Sequence, residues 1–315
     1  MKIALAQLNP TVGDLDGNAT RIIVAMQGSE ADLLVCTELS LCGYYPGDLL
    51  EEESFLARTE AALAKVLTAS KAVPALVSVI GTVRLQPRAG QAVVQCAAGD
   101  PQRRSGRRVL QAAVANLWHF RRAAPFRAGT GGRLPARRRR CTVGFLICED
   151  GWNSNGRDYK VDPFAALRAE APDLVVSINA SPANIGKREQ RHALFHAAAR
   201  TNRLPIVYVN QVGGQDQLVF DGASFAVTPQ DGVVFEMLRR LKQASRVLNL
   251  MLANSCNAPR KRHCRCGVCP PPDCARFARL RAPLRFWQSG GGLLRAESIR
   301  RSPWHWRWKR WARTM

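Results

Sequence analysis

The chain is 315 residues long and 46% hydrophobic, enough for two domains or one large one. No apolar run approaches the ~20 residues of a membrane-spanning helix, and the start, MKIALAQLNPTVGD, lacks the apolar core and cleavage site of a signal peptide. A cytoplasmic protein without membrane contact is therefore expected. The 46 basic and 24 acidic side chains leave a net charge of +22, which taken whole points to a polyanion binder.

The distribution of the charge points elsewhere. Residues 1–85 and 142–236 together hold 14 basic and 21 acidic side chains, whereas residues 86–141 and 237–315 hold 32 and 3. The basic excess lies wholly in two blocks and is nearly all arginine.

In the first acidic piece, Lys2–Leu8 alternates as a strand and Ala19–Ser29 has helical spacing. Asp32–Cys36 reads as a second strand, Ser54–Ser70 as an Ala/Leu-rich helix and Ala75–Val83 as a third strand. In the second piece, Thr142–Ile147, Asp173–Asn179, Ile206–Asn210 and Gly222–Thr228 read as strands, with helices over Pro163–Ala171 and Arg188–Arg203. Strands alternating with helices predict an α/β sandwich. The basic blocks show no such period. Arg137–Arg140 is a tetra-arginine run, residues 256–282 mix five Cys with Pro and Arg, and the end holds four of the seven Trp.

Three stretches carry chemistry. Glu38 follows an apolar strand, where a carboxylate faces the ligand-binding edge of an α/β fold or simply sits in a surface turn. Cys148 follows another strand and precedes Glu149, Asp150 and Trp152; such a thiol is a nucleophile if a base takes its proton, or a buried inert cysteine. Asn179-Ala180-Ser181-Pro182, with Lys187 and Arg191 beyond it, brings polar groups to the same edge or caps and solvates a helix.

In this order and spacing, AQLNPTVGD, ADLLVCTELSLCGYYPGDLL, VGFLICEDGW, DLVVSINASP with Lys187, and NQVGGQDQLVFDGASF resemble the carbon–nitrogen hydrolases of the nitrilase superfamily. The nearer resemblance is to the glutaminase domain of glutamine-dependent NAD synthetases. It covers roughly residues 1–85 and 142–236. The resemblance implies an α-β-β-α sandwich that hydrolyses glutamine through a Glu-Lys-Cys triad. Glu38 would be the general base and Cys148 the nucleophile that forms a γ-glutamyl thioester, while Ser181 and Lys187 match positions that hold the glutamine. It implies no cofactor and no metal in this domain. ATP, Mg²⁺ and deamido-NAD belong to a following synthetase domain, which uses the ammonia to make NAD. A homo-oligomer is expected.

The chain departs from the family at the triad lysine, which lies in a motif K-x-x-L-P-x-Y-x-x-F-D-E between the Glu and the Cys. Residues 86–141 contain no lysine. The genetic code offers a reason. Codons for Gln111 through Thr130, read from their second base, permit KQRLPTYGTFDERRHFEPG, nineteen consecutive residues that include the motif and its lysine. Codons for Leu294 through Met315, read from the third base, permit SGGIDSALALALAVEALGADH. That run resembles the S-G-G-x-D-S pyrophosphate loop of ATP pyrophosphatases, in which backbone N–H groups at a helix start cradle phosphate. The sequence thus reads as a frameshifted and truncated synthetase of impaired activity. Its glutaminase domain spans 1–236, interrupted by the aberrant segment 86–141, and an aberrant, largely disordered tail follows over 237–315. Strands next to the interrupted segment are expected to lose pairing partners.

Other readings exist. The Arg-rich blocks with interleaved Trp suit single-stranded nucleic acid and would bind it nonspecifically. Cys256, His263, Cys264, Cys266, Cys269 and Cys274 suggest a zinc site, but no second well-spaced pair follows Cys266 and Cys269, and Pro270–Pro272 crowds the knuckle. A stand-alone nitrilase-type amidase is the enzyme alternative.

Overall fold

In a computed structural model, described at residues 1–85, 92–99, 107–110, 142–152, 162–237, 243–251 and 285–288, most strands fall into two sheets. The first contains β1 (Lys2–Gln7), β2 (Leu33–Val35), β3 (Val77–Leu85), β4 (Ala92–Gly99), β5 (Arg107–Leu110), β13 (Ala244–Met251) and β14 (Arg285–Gln288), in the order β14-β13-β1-β2-β3-β4-β5. The second contains β6 (Val143–Ile147), β7 (Leu174–Asn179), β8 (Ile206–Asn210), β11 (Phe225–Thr228) and β12 (Gly232–Glu236), in the order β12-β11-β8-β7-β6. Strands β9 (Val212–Gln215) and β10 (Leu218–Asp221) form a separate hairpin. At the centre of each sheet the strands are parallel: β1, β2 and β3 in one, β6, β7 and β8 in the other.

Alternation along the second sheet shows why the molecule is layered. Val143, Phe145, Ile147, Leu174, Val176, Ile178, Val207 and Val209 belong to a core shared with β1, β2 and β3. Their neighbours Leu146, Val175, Ile206 and Tyr208 belong to a second core with Phe164, Leu167 and Phe195. Successive side chains leave opposite faces of a strand, so this sheet is buried on both sides, as parallel sheets are. Helices cover the outer faces: α1 (Leu15–Gln27) and α2 (Glu53–Ser70) on the first sheet, α3 (Pro163–Glu170) and α4 (Lys187–Asn202) on the second. The result is the expected α-β-β-α sandwich.

Local signals set the helix starts. Asp14 caps α1 by accepting from the Gly17 amide at 3.0 Å, so the helix begins four residues before the predicted Ala19. Leu15, Ala19, Ile22 and Met26 then form its buried face. Asp162 accepts from the Phe164 and Ala165 amides at 2.9 and 3.1 Å, and Pro163 fills the first helical position, where it is favoured.

One expectation is extended and another corrected. Residues beyond 236 contribute to the sheet: β13 pairs antiparallel with the whole of β1, from Lys2 opposite Asn249 to Gln7 opposite Ala244, and Leu248 is fully buried. Without β13, β1 would present an open edge; its short apolar run among polar residues was too weakly periodic to read. β3 also has a partner, because β4, within the Arg-rich segment, pairs antiparallel from Ser78 opposite Gly99 to Leu85 opposite Ala92. The codons of Gln111 and Ala112, the run Arg137–Arg140, the Cys-rich stretch 256–282 and the Trp-rich end lie outside the described residues.

Candidate active site

The parallel strands β1, β2, β6, β7 and β8 all deliver polar residues at their carboxyl ends, where ligand sites of α/β folds form. Glu38, three residues past β2, is buried. Its Oε2 accepts from the Ala180 amide, just past β7, at 2.9 Å. Glu38 thus crosses from one sheet to the other. The turn that carries it is fitted to β3: the Leu41 amide donates to Gly81 O at 3.2 Å, and the Ser40 hydroxyl donates to the same carbonyl at 3.3 Å. Position 81 must be glycine, because a Cβ there would lie 2.4 Å from Thr37 O and 2.5 Å from the Leu39 amide nitrogen.

Cys148 is the first residue after β6 and has φ +43, a left-handed conformation uncommon for a residue with a Cβ. Such strain concentrates at functional sites. The Ile147 amide donates to Asp150 Oδ2 at 3.0 Å and tightens the turn. The Cys148 thiol hydrogen-bonds the Glu38 carboxylate. Burial above all, with the negative charges of Glu149 and Asp150, raises Glu38 to about 7, against the bonds from Cys148 and Ala180 that favour its charged form. Burial, then the charges of Glu38 and Glu149, hold the Cys148 thiol well above its ordinary range. A carboxyl poised near neutrality beside a thiol is a base–nucleophile pair in geometry. Among the described residues the largest charges acting on that thiol are those of Glu38 and Glu149. Cys36 and Cys42 are buried and pushed up to about 12.

Ser181 follows Ala180 and is buried in a polar network. Its amide donates to Asn210 Oδ1 at 2.8 Å, and Asn210 Nδ2 donates back to Ser181 O at 3.2 Å. Asn210 connects through Ser224 to Gln7 of β1, whose Oε1 accepts from the Ser224 amide and hydroxyl at 3.1 and 2.9 Å. Polar groups therefore bridge the two sheets beneath the site, with Gln7 of one and Ser224 of the other bonded across the gap. Lys187 opens α4 and places its Nζ 3.7 Å from the centre of the Trp152 ring, a cation–π contact. Partial burial and then the Arg191 charge lower its pKa, opposed by the charges of Glu149 and Cys148, so it lies within electrostatic reach of the thiol.

The structure thus joins Glu38 directly to Cys148, sets Ser181 one residue from the amide that holds Glu38, and leaves Lys187 at the margin. Reading of the sequence missed Tyr44, buried beside Glu38, Cys148 and Glu149 and packed edge-on to Phe220. It also missed Gln7, Asn210 and Ser224, which stand inside the quoted motifs but whose contacts depend on how the two sheets face each other. Among the described residues no three His, Cys, Asp or Glu side chains are grouped to hold a metal ion, and no helix is long and apolar enough to cross a membrane.

Two sheets flanked by helices, with a cysteine at one strand end bonded to a carboxylate from the facing sheet, describe the carbon–nitrogen hydrolase class. The sequence profile of the carbon–nitrogen hydrolases matches residues 2–240, and the chain belongs to that family. Within it, the chain is similar to the glutamine-dependent NAD(+) synthetase of Synechocystis sp., 34% identical over an alignment of 248 residues, with 74% of this chain and 43% of that protein covered. The solved glutamine-dependent NAD+ synthetase of Acinetobacter baumannii, in complex with ADP, superposes with a TM-score of 0.66 at 28% identity, over 78% of this chain and 45% of that one. A nitrilase-superfamily amidase of Nesterenkonia has the same fold, with a TM-score of 0.65 at 20% identity over 78% and 89% of the two chains. The chain spans less than half the length of the synthetases it matches.

Proposed function

We propose that the chain is the glutaminase portion of a glutamine-dependent NAD synthetase, impaired because its catalytic lysine is encoded out of frame. The observation that carries the reading is the Cys148 thiol bonded to a Glu38 carboxylate that the Ala180 amide orients. In the proposed reaction Glu38 takes the thiol proton and Cys148 Sγ attacks the side-chain amide carbon of glutamine. The C–N bond then breaks, ammonia leaves with the proton returned by Glu38, and a γ-glutamyl thioester remains. Water, deprotonated by Glu38, cleaves the thioester to glutamate. Ser181 and Lys187 hold the amino-acid end of the substrate.

The missing lysine would offset the carboxylates around the thiol and stabilise the oxyanion. ATP, Mg²⁺ and deamido-NAD belong to the synthetase portion. The codons that permit its phosphate loop lie at 294–315, outside the described residues, so no step here runs through them.

Ammonia and glutamate release by the purified chain, set against Cys148→Ala, tests the proposal. The expected rate is little above the Cys148→Ala background. Vigorous glutamine turnover abolished by Cys148→Ala would overturn the impairment. Hydrolysis of simple aliphatic amides in preference to glutamine would favour a stand-alone amidase.

A further inference from the structure

Arg191, on α4, is buried to 1% exposure, yet it touches neither Glu38 nor Cys148 among its hydrogen bonds. Its guanidinium grips a single loop. Nη2 donates to Ser181 O at 2.8 Å and to Pro182 O at 2.9 Å, and Nε donates to the Ser181 hydroxyl at 3.3 Å. Nη1 donates to Asp221 Oδ1 at 2.7 Å, where β10 ends, which balances the buried charge. The residue just before this loop is Ala180, whose amide holds Glu38.

We infer that Arg191 is a positioning residue, clamping the Ser181–Pro182 loop so that the Ala180 amide is aimed at Glu38 and the thiol beside it. The inference rests on reading Glu38 and Cys148 as a working pair. The planar fork suits the task because its donors are fixed in one plane and reach two carbonyls, a hydroxyl and a carboxylate at once; a lysine offers one point of attachment. Asn210 holds the same loop from the other side through the Ser181 amide and carbonyl. With the fork removed, the Ser181 and Pro182 carbonyls lose buried donors and the loop is free to shift.

A purely structural Arg191 would only loosen α4, as loss of the Arg188–Glu236 pair between α4 and β12 would do. A positioning Arg191 also alters the chemistry of the thiol. The Ala180 amide favours the charged forms of both Glu38 and Cys148, so its drift makes thiolate harder to form. The test is the pH profile of Cys148 alkylation by iodoacetamide in the full chain, read on the Cys148 peptide by mass spectrometry because the chain holds ten cysteines. Arg191→Met should raise the midpoint by about one pH unit, the scale of one hydrogen bond to a charged group. Arg191→Lys should fall between that and the parent, and Glu236→Gln should leave the midpoint in place. Glu38→Gln should lower it, by removing a carboxylate that repels the thiolate. A parental midpoint in Arg191→Lys, whose charge is intact and whose fork is gone, overturns the assignment even if Arg191→Met does not fold; so does an equal rise in Glu236→Gln. A parental midpoint in Glu38→Gln overturns the Glu38–Cys148 pair itself, and the clamp with it.

Discussion

The two halves of the site are built on opposite terms. Around Ser181, a buried cation meets a partly exposed carboxylate, Arg191 with Asp221, and Asn210, Ser224 and Gln7 complete a chain of bonds from one sheet to the other. Around Cys148, the largest charges on the thiol are the negative ones of Glu38 and Glu149, ahead of the Lys187 cation, and both Glu38 and Cys148 are raised. The half that would hold a substrate is finished by the described residues, whereas in the half that would react with it the charges of Glu38 and Glu149 outweigh that of Lys187 among the described residues. In the family a lysine comes from between the Glu and the Cys, and there this chain has arginines in an aperiodic block and no lysine. On the proposed reading the deficit is confined to that one segment.

The contrast is broken most decisively by supplying what the reactive half lacks. A gene with its frame restored across codons 111–130 should hydrolyse glutamine at least about 100-fold faster than the present chain, the scale of losing one oxyanion donor. Ammonia release measures it. An unchanged rate would mean that the deficit lies elsewhere.

Next in size is the pH dependence of stability from Glu38. Its folded pKa of about 7 lies above its unfolded value near 4.5, so the native state binds the extra proton. That contribution is fully present below about pH 4.5 and is lost as pH rises through 7. The gap corresponds to a loss of order 3 kcal/mol. Denaturation at pH 5 and pH 8 should show this slope in the parent and a smaller one in Glu38→Gln.

Gly81→Ala should cost about 2 kcal/mol through overpacking against the Glu38 turn. Gly214→Ala, where the nearest atom to the new Cβ is 3.8 Å away, should cost far less; equal melting temperatures would contradict the fit of that turn to β3.

The smallest effect lies outside both halves, where α4 packs on β12. Glu236 is raised by burial, but the nearby His192 and the bonds from Arg188 outweigh this and hold it at about 2. Its contribution is present above pH 4.5 and lost as pH falls toward 2. Arg188 is about a third exposed, so Glu236→Gln should cost only about 1 kcal/mol at neutral pH and flatten the acid limb of the stability curve.

Much of this was legible in the sequence. The strands at the centres of both sheets announce themselves by buried apolar runs such as Leu174–Asn179 and Ile206–Asn210, and Glu38, Cys148 and Ser181 stand directly after such runs. β9, β10 and β13 were not read: the hairpin is rich in Gly and polar residues, and β13 exists as a strand because β1 offers it an edge. The inter-sheet network was hidden for the same reason. Gln7 and Ser224 lie 217 residues apart and meet only when the sheets pack face to face. The Arg191 clamp likewise looks in sequence like one more basic residue on a helix.

The claim that a lysine is encoded but not translated is tested most directly by the nucleotide sequence over codons 111–130. Reading from the second base requires CAA for Gln111, so that AAG follows, and a codon ending in A for Leu117, so that TAT follows into Trp118. Those bases are the predicted result. CAG at Gln111, which shifts to an arginine codon, would contradict the account.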